Sequence, residues 1–241
     1  MNCSLFMGTT HKTGLHENTV SQLTFPVETE ATIRRRILDI CREQTRNVVE
    51  ITRELALMTD SVSEGKGREA KDHYGNMLKI LEDFENTKKK LLEEVASFGT
   101  LLTNREDFIR LIFRISEVAD YAQGIGYRLT AVIDRSWKMD KKYMKRLSDL
   151  IALVLEEMSK IRETMMSLGF NPTKAMELSR GVEETEKKVD TAYRSLDLEV
   201  LDEKMPLRSI LLVRELSAHM ENMADLGVDV VDLIRVIALT A

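Results

Sequence analysis

Two pairs of carboxylates in the second half of the sequence have the residue types and spacing to do chemistry: Glu186 with Asp190, and Glu221 with Asp225. Residues four apart lie on one face of a helix, so each pair offers two oxygen donors side by side. If the two helices pack together, four carboxylates border one groove. Such a set is a hard oxygen site, suited to iron(III), manganese, magnesium or, less typically, zinc. Without a cation the four charges would repel one another, and a bound metal would resolve this. Spacing alone carries no weight. With 40 acids in 241 residues, chance gives roughly six or seven acid pairs at this separation, and the sequence holds seven.

What matters is which elements carry the pairs. Apolar residues recur with helical period along the whole chain. A first helix is expected from Glu28 to Ser63, with its stripe at Ile33, Ile37, Ile40, Cys41, Val48, Ile51, Leu55 and Met58; Gly65 and Gly67 stop it. A second is expected from Arg68 to Phe98, and a third from Asn104, as cap, to Arg135. Asp140 can cap a fourth that runs to Leu168. Gly169, Asn171 and Pro172 then end one helix and start the next, which is expected from Thr173 to Leu201. The sixth starts near Pro206 and reaches Leu239. Nothing reads as a strand. Long helices joined by short loops must pack side by side, so the expected fold is an all-α, elongated antiparallel six-helix bundle.

Composition agrees and excludes other classes. The chain is 43% hydrophobic and 31% charged with only 3 Pro, which suits long helices and not a sandwich or a disordered chain. A net charge of −5 offers no basic excess to neutralise phosphates, so nucleic acid is not an expected partner. The densest basic run, Lys138–Arg146, reads as a solvated helix start. Cys3 and Cys41 form no metal or redox spacing and fit a reducing cytoplasm, with Cys41 expected as a half-buried thiol. No apolar run approaches the roughly 18 residues of a membrane span. Residues 1–26 show no signal pattern and read as a flexible tail.

The two halves read as repeats, 27–136 and 137–241. At an offset of 105, Phe108 meets Val213, Leu111 meets Leu216, Ala119 meets Ala224, Ala122 meets Gly227 and Leu129 meets Ile234. The paired small residues suggest a close helix crossing at the same place in each half. The second helix of each half aligns at an offset of 101, which sets Glu85 against Glu186. On the last helix the apolar stripe is centred near Met220, Gly227 and Ile234; Glu221 and Asp225 lie on its flank, Asp225 further out.

The segments REDFIRLIFRISEVADYAQGIGYRL (105–129) and EETEKKVDTAYRSL (183–196), with LRSILLVRELSAHMENMADLGVDVVDLI (207–234), resemble the PhoU-like family, and in particular its phosphate-transport-accessory branch. The resemblance implies a cytoplasmic helical regulator of inorganic phosphate transport, peripheral at the inner face of the membrane. Its partner would be an inorganic phosphate permease, and it could form a homo-oligomer. The resemblance also implies metal ions at E/DxxxD motifs on paired helices, which carry over as Glu186, Asp190, Glu221 and Asp225. In the first half, Glu85 and Asp120 are kept, but Lys89 and Ser116 stand where their partners would be. At most one intact metal site is expected, in the second half, with Lys89 paired to Glu85 or Asp120. The other reading is a metal-free helical adaptor that acts only by protein–protein contacts.

No enzyme activity is expected. A ferritin-like di-iron site needs Glu-x-x-His on two helices, and neither His73 nor His219 has Glu three before it. Glu69/His73 and Glu215/His219 read as solvated helix pairs. No phosphate-cradling glycine loop and no nucleophile–base set is visible.

Overall fold

The computed structural model describes residues 25–98 and 102–239. It contains helices α1 (Phe25–Ser63), α2 (Gly67–Phe98), α3 (Arg105–Asp134), α4 (Lys141–Leu168), α5 (Pro172–Leu201) and α6 (Leu207–Leu239), and no strand among the described residues. The expected all-α six-helix bundle is what is found. Of the expected tail, residues 1–24 and Cys3 with them lie outside the described residues, while Phe25 and Pro26 already belong to α1.

Local chemistry sets the helix ends. The Asp140 carboxylate accepts the Lys142 N–H at 2.8 Å, and the Asn171 side chain accepts the Lys174 N–H at 3.0 Å, with Pro172 in the first turn. Gly65 turns the chain between α1 and α2 with a φ of 77°, a conformation that glycine adopts without a Cβ penalty. Asn104 precedes α3 but does not cap it as expected. Its backbone is left-handed, with a φ of 62°, and its carbonyl, not its side chain, meets the first turn through Asp107 N and Phe108 N.

α1 packs on α2, α3 and α4; α6 packs on α3, α4 and α5; α4 and α5 pack together, as do α2 and α3. The core is continuous and includes Ile37, Phe84, Phe108, Leu111, Tyr143 and Met220. Cys41 lies in it fully buried rather than half-buried, and burial pushes its thiol up to about 12.

Corresponding positions are buried in both halves. Ala70, Met77, Phe84, Leu91 and Val95 of α2 match Ala175, Val182, Val189, Leu196 and Val200 of α5, all buried. This corrects the register of the second helix pair from 101 to 105. Leu81 then stands against Glu186, and Glu85 against Asp190. On α1 and α4 the match is Ile37/Tyr143, Leu38/Met144, Cys41/Leu147, Val48/Val154, Ile51/Glu157 and Leu55/Ile161, again all buried.

Candidate metal centre

The apolar stripes of α5 and α6 turn Val182, Val189, Met220 and Val230 into the core. Their flanks therefore face each other across the helix pair. Glu186, Asp190 and Glu221 are half-buried there, and Asp225 is exposed further out. Glu186 and Asp225 share one groove of about 590 Å³, which Arg114, Glu117 and Tyr121 of α3 also line. Arg114 is held in that wall by Glu117 at 2.7 Å and Asp229 at 3.3 Å.

The four carboxylates act on one another. The Glu186 carboxyl lies above the usual range because of burial, then because of Asp225 and Asp190. Glu221 is raised by burial, then by Asp225 and Asp190, with Arg194 opposing. Asp225 is raised by burial, then by Asp190 and Asp229. Two cations oppose the rise, Lys187 at Glu186 and Arg194, whose guanidinium meets Asp190 at 2.7 Å.

Beneath them is a carboxylate that the sequence reasoning missed. Glu157 of α4 is fully buried, and both of its oxygens lack a hydrogen-bond partner. Burial pushes its carboxyl up to about 9, with Glu186 and Asp225 adding to the rise and Lys160 opposing it. Held neutral, an unpaired buried carboxyl still costs about 1–3 kcal/mol. The space for it comes from α6: a Cβ on Gly227 would lie 2.6 Å from Glu157 Oε1. The sequence did carry a signal. Position 157 falls on the stripe Leu147, Leu150, Ile151, Val154, Met158 and Ile161, an acid where the helical period calls for an apolar residue.

Among the described residues no group of three or more His, Cys, Asp or Glu is arranged to hold a metal ion. The donor chemistry nonetheless fits a hard cation: Glu186, Glu221 and Asp225 are each raised by burial and by neighbouring carboxylates, and the two oxygens of Glu157 have no hydrogen-bond partner among the described residues.

The first half is built differently. Ser116 is buried and donates to the Ile112 carbonyl at 2.9 Å. The expected pairing of Lys89 is corrected: Lys89 is exposed, and Lys88 meets Glu85 at 3.2 Å. Adjacent helical residues point about 100° apart, and position 88 is the one turned toward α3. There, burial raises the Asp120 carboxyl and Lys88 lowers it, while Glu85 and Glu117 add to the rise. The histidines are also placed. His73 meets Glu54 of α1 at 2.8 Å, and His219 packs edge-on against Tyr121 with ring centroids 5.2 Å apart. The basic run at the start of α4 is neutralised locally, with Lys142 on Glu199 and Glu203 and Lys145 on Asp149.

No protein-family model matches the chain, and no curated protein matches its sequence. Solved structures do match. A PhoU-like protein from Shewanella oneidensis MR-1 superposes with a TM-score of 0.74 at 12% identity, covering 85% of this chain and 100% of its own. A protein described as PhoU-like and phosphate-regulatory, from the same organism, gives 0.72 at 13% identity with the same coverage. PhoU from Pseudomonas aeruginosa gives 0.53 at 13% identity over 91% of this chain and 100% of its own. The chain thus has the fold of the PhoU-like helical bundles.

Proposed function

We propose that this chain is a non-catalytic regulator of inorganic phosphate transport that acts by docking on an inorganic phosphate permease from the cytoplasmic side. The observation that carries this reading is the fold likeness to PhoU-like bundles over most of the chain. No described helix is long and apolar enough to cross a membrane; the contact with the membrane partner is read as peripheral. The division at 136/137 into two three-helix units belongs to this reading and is supported by the matched burial of α1 with α4 and of α2 with α5.

The second half is read as the metal-binding half. Glu186, Asp190, Glu221 and Asp225 would hold the ion, with iron, manganese, magnesium or zinc as candidates on donor type. When bound, the ion would neutralise the mutual repulsion of the carboxylates and tie α5 to α6. The test of the regulatory role is phosphate uptake in cells deleted for this chain, with co-purification of the permease on a tagged copy. Altered uptake and recovery of a phosphate permease are expected; unchanged uptake with no permease recovered overturns the reading. A second reading, a metal-free adaptor, is favoured by the Arg194–Asp190 pair, which supplies a cation to the cluster from within the chain.

A further inference from the structure

Glu157 demands an explanation that the four-carboxylate reading does not supply. Buried polar groups are as a rule hydrogen-bonded, yet this side chain is fully buried and both its oxygens are without a hydrogen-bond partner among the described residues. The cation that acts on it, Lys160, is engaged elsewhere: its Nζ meets Glu156 at 2.7 Å and the Thr185 hydroxyl at 2.6 Å. The other charged groups that act on Glu157 are Glu186 of α5 and Asp225 of α6, both negative. The carboxylate is admitted against α6 by the missing Cβ of Gly227.

Packing does not require an acid here. The matching position of α1 is Ile51, equally buried. The contrast follows the acid pairs: the half with both pairs intact has Glu157, and the half with Ser116 and Leu81 in the pair positions has isoleucine.

We propose that Glu157 is a further metal ligand, so that a hard cation bound in the second half is held from α4 as well as from α5 and α6. The inference rests on the metal reading given above. Its consequence would be structural: a bound ion would tie all three helices of the second half together instead of one helix pair at the surface. Glu157 would offer oxygens from the core, and Glu186 and Asp225 would offer theirs from the groove that they line.

The test uses the full chain, stripped of metal and titrated separately with Mg²⁺, Mn²⁺, Zn²⁺ and anaerobic Fe²⁺ by calorimetry, with melting temperature followed in parallel. Glu157→Ile installs the first-half residue, Glu157→Gln keeps the shape, and Glu186→Ala/Asp225→Ala removes the outer oxygens. The stripped Glu157→Ile protein is expected to melt above stripped wild type, which shows that it folds. It should bind metal about ten-fold or more weaker and lose the metal-induced rise in melting temperature. Affinity of both Glu157 variants within about two-fold of wild type, with binding abolished in Glu186→Ala/Asp225→Ala, overturns the role of Glu157 and leaves the metal reading standing. No binding of any of the ions by wild type overturns both.

Discussion

The Oε1 atom of Glu157 on α4 occupies the space into which a side chain at Gly227 on α6 would project, 2.6 Å from the ideal Cβ position. An ionisable group in the core and a residue without a side chain on the facing helix thus form one fitted contact. The same Cβ would also lie 2.9 Å from Ile161 Cδ1 and 3.2 Å from Met158 Cε. A methyl group there requires the ends of these three side chains to shift.

Overpacking a core usually costs about 1–3 kcal/mol, and the gain in helix propensity from Gly to Ala, about 1 kcal/mol, offsets part of it. Gly227→Ala is therefore expected to destabilise the protein by up to about 2 kcal/mol. Ala122, the matching residue of α3, already carries its methyl. Urea denaturation of Gly227→Ala checks the sign; a variant more stable than wild type would show that Glu157 moves aside freely.

Glu157 also sets a pH dependence. Its carboxyl rises from an ordinary 4.5 to about 9 in the folded chain. Across that window the folded state holds a proton that the unfolded state releases, so the stability it contributes is fully present below pH 4.5 and is lost as pH rises through 9. The slope approaches about 1.4 kcal/mol per pH unit. Glu186, Glu221 and Asp225 are raised as well and act in the same direction at lower pH. Metal-stripped wild type should therefore lose stability from weakly acid to weakly alkaline pH, and Glu157→Gln should lose less. Parallel curves for the two proteins, from denaturant melts at several pH values, would contradict the assignment.

The helices were legible because their signals are periodic and local. Stripes such as Ile33–Met58, the caps Asp140 and Asn171, and the breakers Gly65 and Pro172 each act within a few residues. The flank placement of Glu221 and Asp225 followed from the same periodicity. The register between α2 and α5 did not. Heptad-like stripes match one another at several offsets, and the burial of Ala70 with Ala175, Met77 with Val182 and Leu91 with Leu196 separates 105 from 101. The slip of four residues puts Lys89 in a pair position that Glu85 holds in the register of 105. Glu157 is invisible to a pattern of acids paired at four-residue spacing, because its distinction is being unpaired on an apolar face. Its burial depends on Gly227, seventy residues later, a relationship that no local pattern contains.

In the first half, Lys88 is the cation that holds the Asp120 carboxyl down against burial, Glu85 and Glu117. Lys88→Ala should raise the Asp120 pKa further, so that Asp120 takes up a proton at a higher pH than in wild type. Lys89→Ala, at an exposed position, should leave it unchanged. Carboxyl carbon shifts of Asp120 followed by NMR across an acid titration distinguish the two. Equal effects of both lysines would return Lys89 to the site.

The metal reading is tested most directly by elemental analysis of protein purified without added metal or chelator. Glu221 and Asp225 lie on the same helix and are coupled to Asp190, and Asp225 shares the groove with Glu186. Glu221→Ala/Asp225→Ala therefore removes two of the outer oxygens at once. Both positions are half-buried or exposed; burial raises both carboxyls, with Asp225 and Asp190 adding to the rise at Glu221, and Asp190 and Asp229 at Asp225. Their removal should leave the stripped fold intact or slightly stabilised. Wild type is expected to carry a hard metal ion and the variant to carry little. Near-zero metal in both, with the variant as stable as wild type or more so, would instead leave the cluster as a strained acidic edge partly relieved by Arg194. The protein would then act as a metal-free adaptor through its surface.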